Sequence, residues 1–390
     1  MTMHVLRNAR VYAPDDLGCQ DILIGGGVIL AIAPDIQTPK NLPITETDCR
    51  QAIVCPGFVD TLTHITGGGG EGGFATRTPE MQVSDAVKGG VTTVTGALGT
   101  DAVCRTHQEL VAKVKALRDE GLSAYFYTGN YHYPVKTLTG SVQQDIMLID
   151  ECIGIGEIAI ADHRGSQMSW RELARVAADA RVGGLCSGKA GIVSVHVGDG
   201  DDRLSTLFDV AEHSNIPLSQ FYPTHINRSP ALLNDAVRFA ALGGSFDLTA
   251  SSTPEILASG ELKCAQAFKL ALEQGVSDEQ ITFSTDGHAS LPHFNSDGVL
   301  ESLKVGSMTS LLDEVRDAVL IEQLPLSQVL KAVTANPARI LKLDSKGRIA
   351  ENADADLLVL NPDDLTLQSV MAGGQWFMQD GNLTKVGTFE

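Results

Sequence analysis

Histidines and carboxylates recur in this chain at one kind of place, the end of an apolar, β-rich run. Val59-Asp60-Thr61-Leu62-Thr63 runs into His64, and Ile153-Gly154-Ile155-Gly156 runs into Glu157. Val193-Ser194-Val195 leads to His196, Phe221-Tyr222-Pro223-Thr224 to His225, and Thr282-Phe283-Ser284-Thr285 to Asp286. Imidazole and carboxylate are the ligands that suit zinc and similar divalent ions. One such histidine is weak evidence, since most histidines are surface groups or satisfied core groups. Their repetition at strand ends is the signal. A bound divalent ion lowers the pKa of its water to about 7. A carboxylate beside that water can take its proton and pass it to a leaving group, and Asp286 is the candidate for this role. The competing reading of Asp286-Gly287 is a turn.

Other polar groups follow the same ends. Thr100 and Asp101 come after the second run, Tyr131 and His132 after the third, Asp162-His163-Arg164 after the fourth, and Asn227-Arg228 after the sixth. His288 and Ser290 lie just beyond Asp286. His163 and His288 are not expected to be ligands. Arg164 and Arg228 can each present a bidentate guanidinium, a good match for a substrate carboxylate. After His64 come Gly67 to Gly70 and then Glu71. A run of glycines has no packing value and costs backbone entropy. It makes sense where the backbone must come very close to something small.

The elements that must position these groups alternate. Strand-like segments fall at 53–60, 91–97, 123–129, 152–158, 191–197, 218–225, 245–250 and 281–286. Amphipathic helical segments lie between them at 109–120, 171–181, 204–213, 231–242 and 262–274, with two more at 308–322 and 326–342. This alternation predicts parallel βαβ units. Eight strands are also the number that closes a TIM-type (β/α)8 barrel, whose chemistry sits at the C-terminal strand ends. The competitor is a doubly wound open sheet, which would usually carry GxGxxG after its first strand; the loop here reads GGGGEGG. Both ends of the chain are β-rich, with hairpin turns at Gly25-Gly26-Gly27 and Gly373-Gly374. The predicted architecture is α/β: a barrel over 57–347, and a small β-sandwich domain built from 1–56 plus 348–390.

Composition bounds the partners. The chain is 43% hydrophobic and 20% charged with a net charge of -19, which argues against nucleic acid and anionic membrane as partners. An anionic substrate would need specific arginines. Seven cysteines with no CxxC pair suit reduced thiols in a cytoplasm. No apolar run resembles a signal peptide or a membrane span.

Further motifs carry a family resemblance. Val54-Cys55-Pro56-Gly57-Phe58-Val59-Asp60 enters the first histidine, Thr334-Ala335-Asn336-Pro337-Ala338 lies near the end of the barrel, and Ala353-Asp354-Ala355-Asp356 opens the C-terminal β segment. With GGGGEGG, Arg77-Thr78-Pro79-Glu80, Leu98-Gly99-Thr100-Asp101, Asp162-His163-Arg164, Pro223-Thr224-His225-Ile226-Asn227-Arg228 and Ser284-Thr285-Asp286-Gly287, the chain resembles the amidohydrolase superfamily and, within it, the isoaspartyl dipeptidases. The resemblance implies a metal-dependent hydrolase of dipeptides joined through an aspartate β-carboxyl, and self-association into a homo-oligomer. It implies metal ligation by His64, Glu157, His196, His225 and Asp286, with Asp286 also the general base. It implies that Glu71 holds the substrate α-amine and that Gly69, Thr100 and Ser290 surround the isoaspartyl carboxylate. Tyr131 would polarise the scissile carbonyl, and Arg164 and Arg228 would bind the carboxylate of the leaving residue.

Two positions depart from the family pattern. The usual His-x-His is Leu62-Thr63-His64 here, and Glu157 stands where a carbamylated lysine usually bridges two metals. N-acetylglucosamine-6-phosphate deacetylases resemble this arrangement. Glu157, His196 and His225 make a three-ligand zinc set with room for water, so one tightly bound ion is expected rather than two. Two rivals follow: another amide C–N hydrolase, such as a deacetylase or cyclic amidase, and a non-catalytic scaffold.

Overall fold

In a computed structural model, residues 3–295 and 299–390 are described. Strands from both ends of the chain share one sheet. Its path runs Asn382–Leu383, Gln375–Gln379, Leu367–Ala372, Leu357–Leu360, Ile53–Pro56, Met3–Tyr12, Asp16–Gly25, Val28–Ala33, with Ile44–Asp48 also paired to Met3–Tyr12. The seam between the ends is antiparallel, with Leu357 opposite Pro56 and Leu360 opposite Ile53. Leu6, Val11, Ile22, Val54, Leu357 and Met371 pack into one apolar cluster from both ends. Gly26 and Gly27 carry the left-handed φ values (66° and 85°) that a two-residue hairpin turn demands.

The α/β part is built on parallel strands. We number them β1 (Phe58–Thr63), β2 (Val91–Gly96), β3 (Ser123–Thr128), β4 (Cys152–Ile160), β5 (Ile192–Val197), β6 (Phe221–Thr224), β7 (Phe246–Thr249) and β8 (Ile281–Ser284). The first six form one parallel sheet in sequence order, and β7 and β8 pair in parallel. The chain just after β8 returns to the end of β1: Asp286 N donates to Leu62 O at 3.1 Å, and His64 N to Gly287 O at 2.8 Å. Every residue of β1, β2, β4 and β5 is buried. Strands covered on both faces read as largely apolar runs, but Asp60 lies inside β1, and Glu157, expected at a strand end, is followed in β4 by Ile158, Ala159 and Ile160.

The intervening helices begin at legible caps. Thr106 and Glu109 form a capping box on His107–Asp119, and Ser169 and Glu172 form one on Trp170–Ser187. Ser229 caps Pro230–Ala241, with the proline at the first helical turn. Leu110, Val114 and Leu117 form the buried stripe of the first of these.

Two expected elements divide. The segment 53–60 is not one strand: Ile53–Pro56 joins the terminal sheet and Phe58–Thr63 is β1. Gly57 makes the switch, its N–H bonded to Asp356 O, and a Cβ there would lie 2.2 Å from Thr92 Oγ1. The segment 326–342 is two helices, Leu326–Val333 and Ala335–Ile340. Pro337 has no N–H to give the Val333 carbonyl one turn back, and Thr334 between them leaves helical geometry at φ -133°, ψ -83°. The antiparallel pair Ser290–Phe294 and Leu300–Val305 was not expected from the sequence.

Candidate active site

The ends of the parallel strands surround a cavity of about 400 Å³. His64, Tyr131, His196, His225 and Asp286 line it, and so do Gly69, Glu71, Thr100, Arg164, Arg228 and Ser290. Glu157 is fully buried and lies within 3.5 Å of all three histidines. All the predicted site residues therefore meet in one place. A larger groove, about 860 Å³, lies on the terminal sheet beside Cys49 and Trp376; none of the predicted site residues line it.

Glu157 is the hub. Its Oε1 is 3.3 Å from His225 Nε2 and 3.5 Å from His196 Nδ1, and its Oε2 is 3.5 Å from His64 Nε2. His64 Nε2 is also 3.2 Å from Asp286 Oδ1. The outer nitrogens of two histidines are held from behind. Thr249 Oγ1 is 2.6 Å from His225 Nδ1, and Asp162 Oδ2 is 2.8 Å from His196 Nε2. With Asp162 as acceptor, the His196 proton sits on Nε2, and Nδ1 is free to accept the Tyr131 hydroxyl at 2.6 Å. His225 and Asp286 hold left-handed backbone, φ 64° and 51°, a strain worth about 1–3 kcal/mol each that the surroundings must hold. Asn227 supplies part of that hold: its side chain bonds both the N–H and the carbonyl of Thr249 and the carbonyl of Leu262.

Electrostatics follows from burial and these contacts. Burial pushes His225 down to about 4, so it is neutral, as a ligand must be. Burial alone would lower His64 as well, but Asp286 and Glu157 outweigh it and raise it to about 10. Burial disfavours charge on Glu157, yet contacts with the three histidines hold it well below the usual carboxylate range. Asp286 is likewise lowered, through His64, against its burial.

A divalent ion fits this centre. Donor atoms of Glu157, His196 and His225 all lie within 4.8 Å of one another, and all three residues are buried. Glu157 Oε2, Asp286 Oδ1 and His64 Nδ1 are buried without a directed hydrogen bond. An orphaned polar atom costs about 1–3 kcal/mol, and a cation would relieve the two carboxylate oxygens. Leu62 supplies no ligand; it packs with Val59, Ala97, Tyr127 and Tyr222 in an apolar cluster. Asp209, Glu212 and His213 are also close together, but on an exposed helix face.

The glycine loop lets its neighbours approach. A Cβ on Gly68 would fall 2.7 Å from Ser290 N, and one on Gly69 would fall 2.6 Å from Thr100 Oγ1. Glu71 then receives Arg164 Nη1 at 3.0 Å and Thr100 Oγ1 at 3.3 Å. Arg164 also grips Asp162, through Nε at 3.0 Å and Nη2 at 2.7 Å. Arg228 lines the same cavity and has no ion pair among the described residues. Sequence reasoning assigned no part to Asp162 or Glu261. Asp162 stands in the Asp162-His163-Arg164 motif, but its contact with His196 spans 34 residues and has no local signal.

Residues 53–377 match the amidohydrolase family, and the chain belongs to that family of enzymes. It is similar to the β-aspartyl dipeptidase of Fervidobacterium islandicum AW-1, solved with a β-Asp-Leu dipeptide, at 41% identity over 100% of both chains and a TM-score of 0.92. The N-acetylglucosamine-6-phosphate deacetylase of Pasteurella multocida shares the fold, at 16% identity over 96% of this chain and 99% of the other, with a TM-score of 0.62. Similarity to dihydroorotases is weaker. That of Staphylococcus aureus is 34% identical over 117 residues, 30% of this chain and only 26% of its own length. That of Listeria monocytogenes is 24% identical over 99% of this chain and 94% of its own. Among the described residues no helix is long and apolar enough to cross a membrane.

Proposed function

We propose that this chain hydrolyses β-aspartyl dipeptides on a closed (β/α)8 barrel of residues 57–347, carried by a β-domain of 1–56 plus 348–390. The observation that carries the reading is Arg228, a cavity-lining arginine with no ion-pair partner among the described residues, facing the same space as the buried carboxylate and histidines. Full-length similarity to a β-aspartyl dipeptidase supports it.

Glu157, His196 and His225 would hold one divalent ion, zinc being suited to a set of two imidazoles and a carboxylate. When bound, that ion supplies Lewis-acid activation of water and of the scissile carbonyl. Asp286, ionised and next to the centre, takes the water's proton and returns it to the leaving amine. Tyr131 stays protonated because burial raises it well above its usual value, so its hydroxyl can donate to the carbonyl oxygen. Glu71 takes the substrate ammonium, with Gly69, Thr100 and Ser290 around the isoaspartyl carboxylate. Arg228 and Arg164, which line the same cavity, take the carboxylate of the leaving residue. With Leu62 turned into the apolar cluster, His64 is left between Asp286 and Glu157, so one ion is held tightly and a second is weak or absent. The enzyme works in the cytoplasm as a homo-oligomer.

The test is a panel of β-aspartyl dipeptides, N-acyl amino acids and cyclic imides offered to zinc-loaded protein. Turnover of the dipeptides alone is expected. Preference for the N-acyl or cyclic substrates would favour the second reading, another amide hydrolase, which the missing His at Leu62 motivates. Two metal equivalents per chain that survive dialysis would overturn the single-ion assignment.

A further inference from the structure

The cavity contains a carboxylate to which the reaction above gives no task. Glu261 lines it together with Arg228, Asp286, Ile256 and Ser259. Its Oε1 accepts a hydrogen bond from Ser252, and it has no ion pair among the described residues. It lies near enough to Arg228 and Asp286 to feel the charge of both. Burial raises its pKa, so the site holds an acid that gains from a cation, and it makes no ion pair among the described residues.

The position of Glu261 relative to the reaction decides what that cation is. Asp286 marks the scissile bond and Arg228 the carboxylate of the leaving residue. Glu261, next to both, is on the leaving side. Glu71, the other cavity glutamate, is already engaged by Arg164 and Thr100. The leaving residue's side chain and its carboxylate spring from the same Cα. With the carboxylate on Arg228, the side chain starts two bonds away and extends along the wall that Glu261 shares with Ile256.

We infer that Glu261 is a specificity residue that selects dipeptides whose leaving amino acid carries a cationic side chain, with lysine or arginine on Glu261 and their α-carboxylate on Arg228. The apolar stem of such a side chain would lie along Ile256, and its charged head would meet the carboxylate. An acidic leaving side chain would face Glu261 with like charge and be rejected. This inference rests on the dipeptidase reading.

The experiment measures kcat/KM of zinc-loaded protein for β-Asp-Lys, β-Asp-Leu and β-Asp-Glu, in the wild type and in Glu261→Gln. The glutamine keeps an acceptor for Ser252 and removes the charge. Expected is a wild-type preference for β-Asp-Lys over β-Asp-Leu of about fivefold, the value of a partly exposed ion pair, with β-Asp-Glu slowest. In Glu261→Gln the Lys/Leu ratio should fall towards one. A general folding defect would lower all three substrates together and leave the ratio intact. Equal wild-type rates for the three dipeptides, or a lysine preference that survives in Glu261→Gln, would overturn the role of Glu261 while the dipeptidase reading stands. No turnover of any of the three would overturn that reading and this inference with it.

Discussion

Asp162 joins the proposed metal-binding half of the site to the proposed substrate-binding half, and asparagine is the substitution that separates its two contacts. The carboxylate accepts His196 Nε2 at 2.8 Å, Arg164 Nη2 at 2.7 Å, Arg164 Nε at 3.0 Å and the Arg164 backbone N–H at 2.7 Å. Every contact is with a donor, and an ionised carboxylate only accepts. Asparagine offers one oxygen and one amide. With the oxygen on Arg164, the amide faces His196 and needs Nε2 as an acceptor. That moves the histidine proton to Nδ1, the nitrogen 3.5 Å from Glu157 Oε1, and a protonated nitrogen cannot bind metal. A charge-assisted hydrogen bond is worth about 1.5–3 kcal/mol. That is roughly ten- to a hundredfold in zinc affinity, the usual penalty for losing the group behind a metal-bound histidine. The assay is zinc competition with a chromophoric chelator on wild type, Asp162→Asn and Arg164→Met, with folding checked by circular dichroism. Arg164→Met leaves Asp162 on His196, so it should keep wild-type zinc affinity and lose only in KM. A folded Asp162→Asn protein that binds zinc as tightly as wild type would refute the reasoning.

Three other outcomes can be measured on the same protein. Asp286→Asn should cut kcat by at least about a hundredfold, with most of the metal retained by elemental analysis; unchanged turnover removes Asp286 from the mechanism. Arg228→Ala should raise KM about tenfold or more for dipeptides with a free C-terminus, and should hardly affect C-terminal amides; equal losses on both would mean that Arg228 does not bind the carboxylate. Asp247 bears on stability. Burial, against hydrogen bonds from Ser284 and Thr282, raises its pKa from 3.8 to about 8. The folded chain therefore keeps a proton that the unfolded chain loses, so stability falls as pH rises from about 4 to about 8, by up to about 1.4 kcal/mol per pH unit. In Asp247→Asn that share of the slope disappears, and the variant should gain on wild type in Tm as pH is raised across this window. Parallel Tm profiles would show that Asp247 is ionised in the folded protein.

The placement of the site residues was legible for a physical reason. Strands buried on both faces are mostly apolar, so strongly polar residues at or near their C-terminal ends stand out: His64, Glu157, His196, His225 and Asp286, with Asp60 and Asp247 as buried exceptions inside strands. The same property hid the boundary at Gly57. Apolar character runs unbroken from 53 to 59, and the pairing of Ile53–Pro56 with Leu357–Leu360 and of β1 with β2 reveals that the chain changes sheets at Gly57. Asp162 and Glu261 were invisible because their meaning lies in the fold: Asp162 meets His196 across 34 residues, and Glu261 reaches a cavity shared with Arg228 and Asp286. Leu62 is the instructive middle case. The sequence shows that a histidine is missing, but not whether another side chain takes its place. In the fold it belongs to an apolar cluster with Val59, Ala97, Tyr127 and Tyr222. The sequence-assigned ligands left for a second ion are His64, Asp286 and a shared Glu157, and His64 already lies within 3.5 Å of both carboxylates. A centre with three committed ligands on one side and a self-paired histidine on the other is asymmetric by construction. That asymmetry is the ground on which a single ion is proposed for this chain.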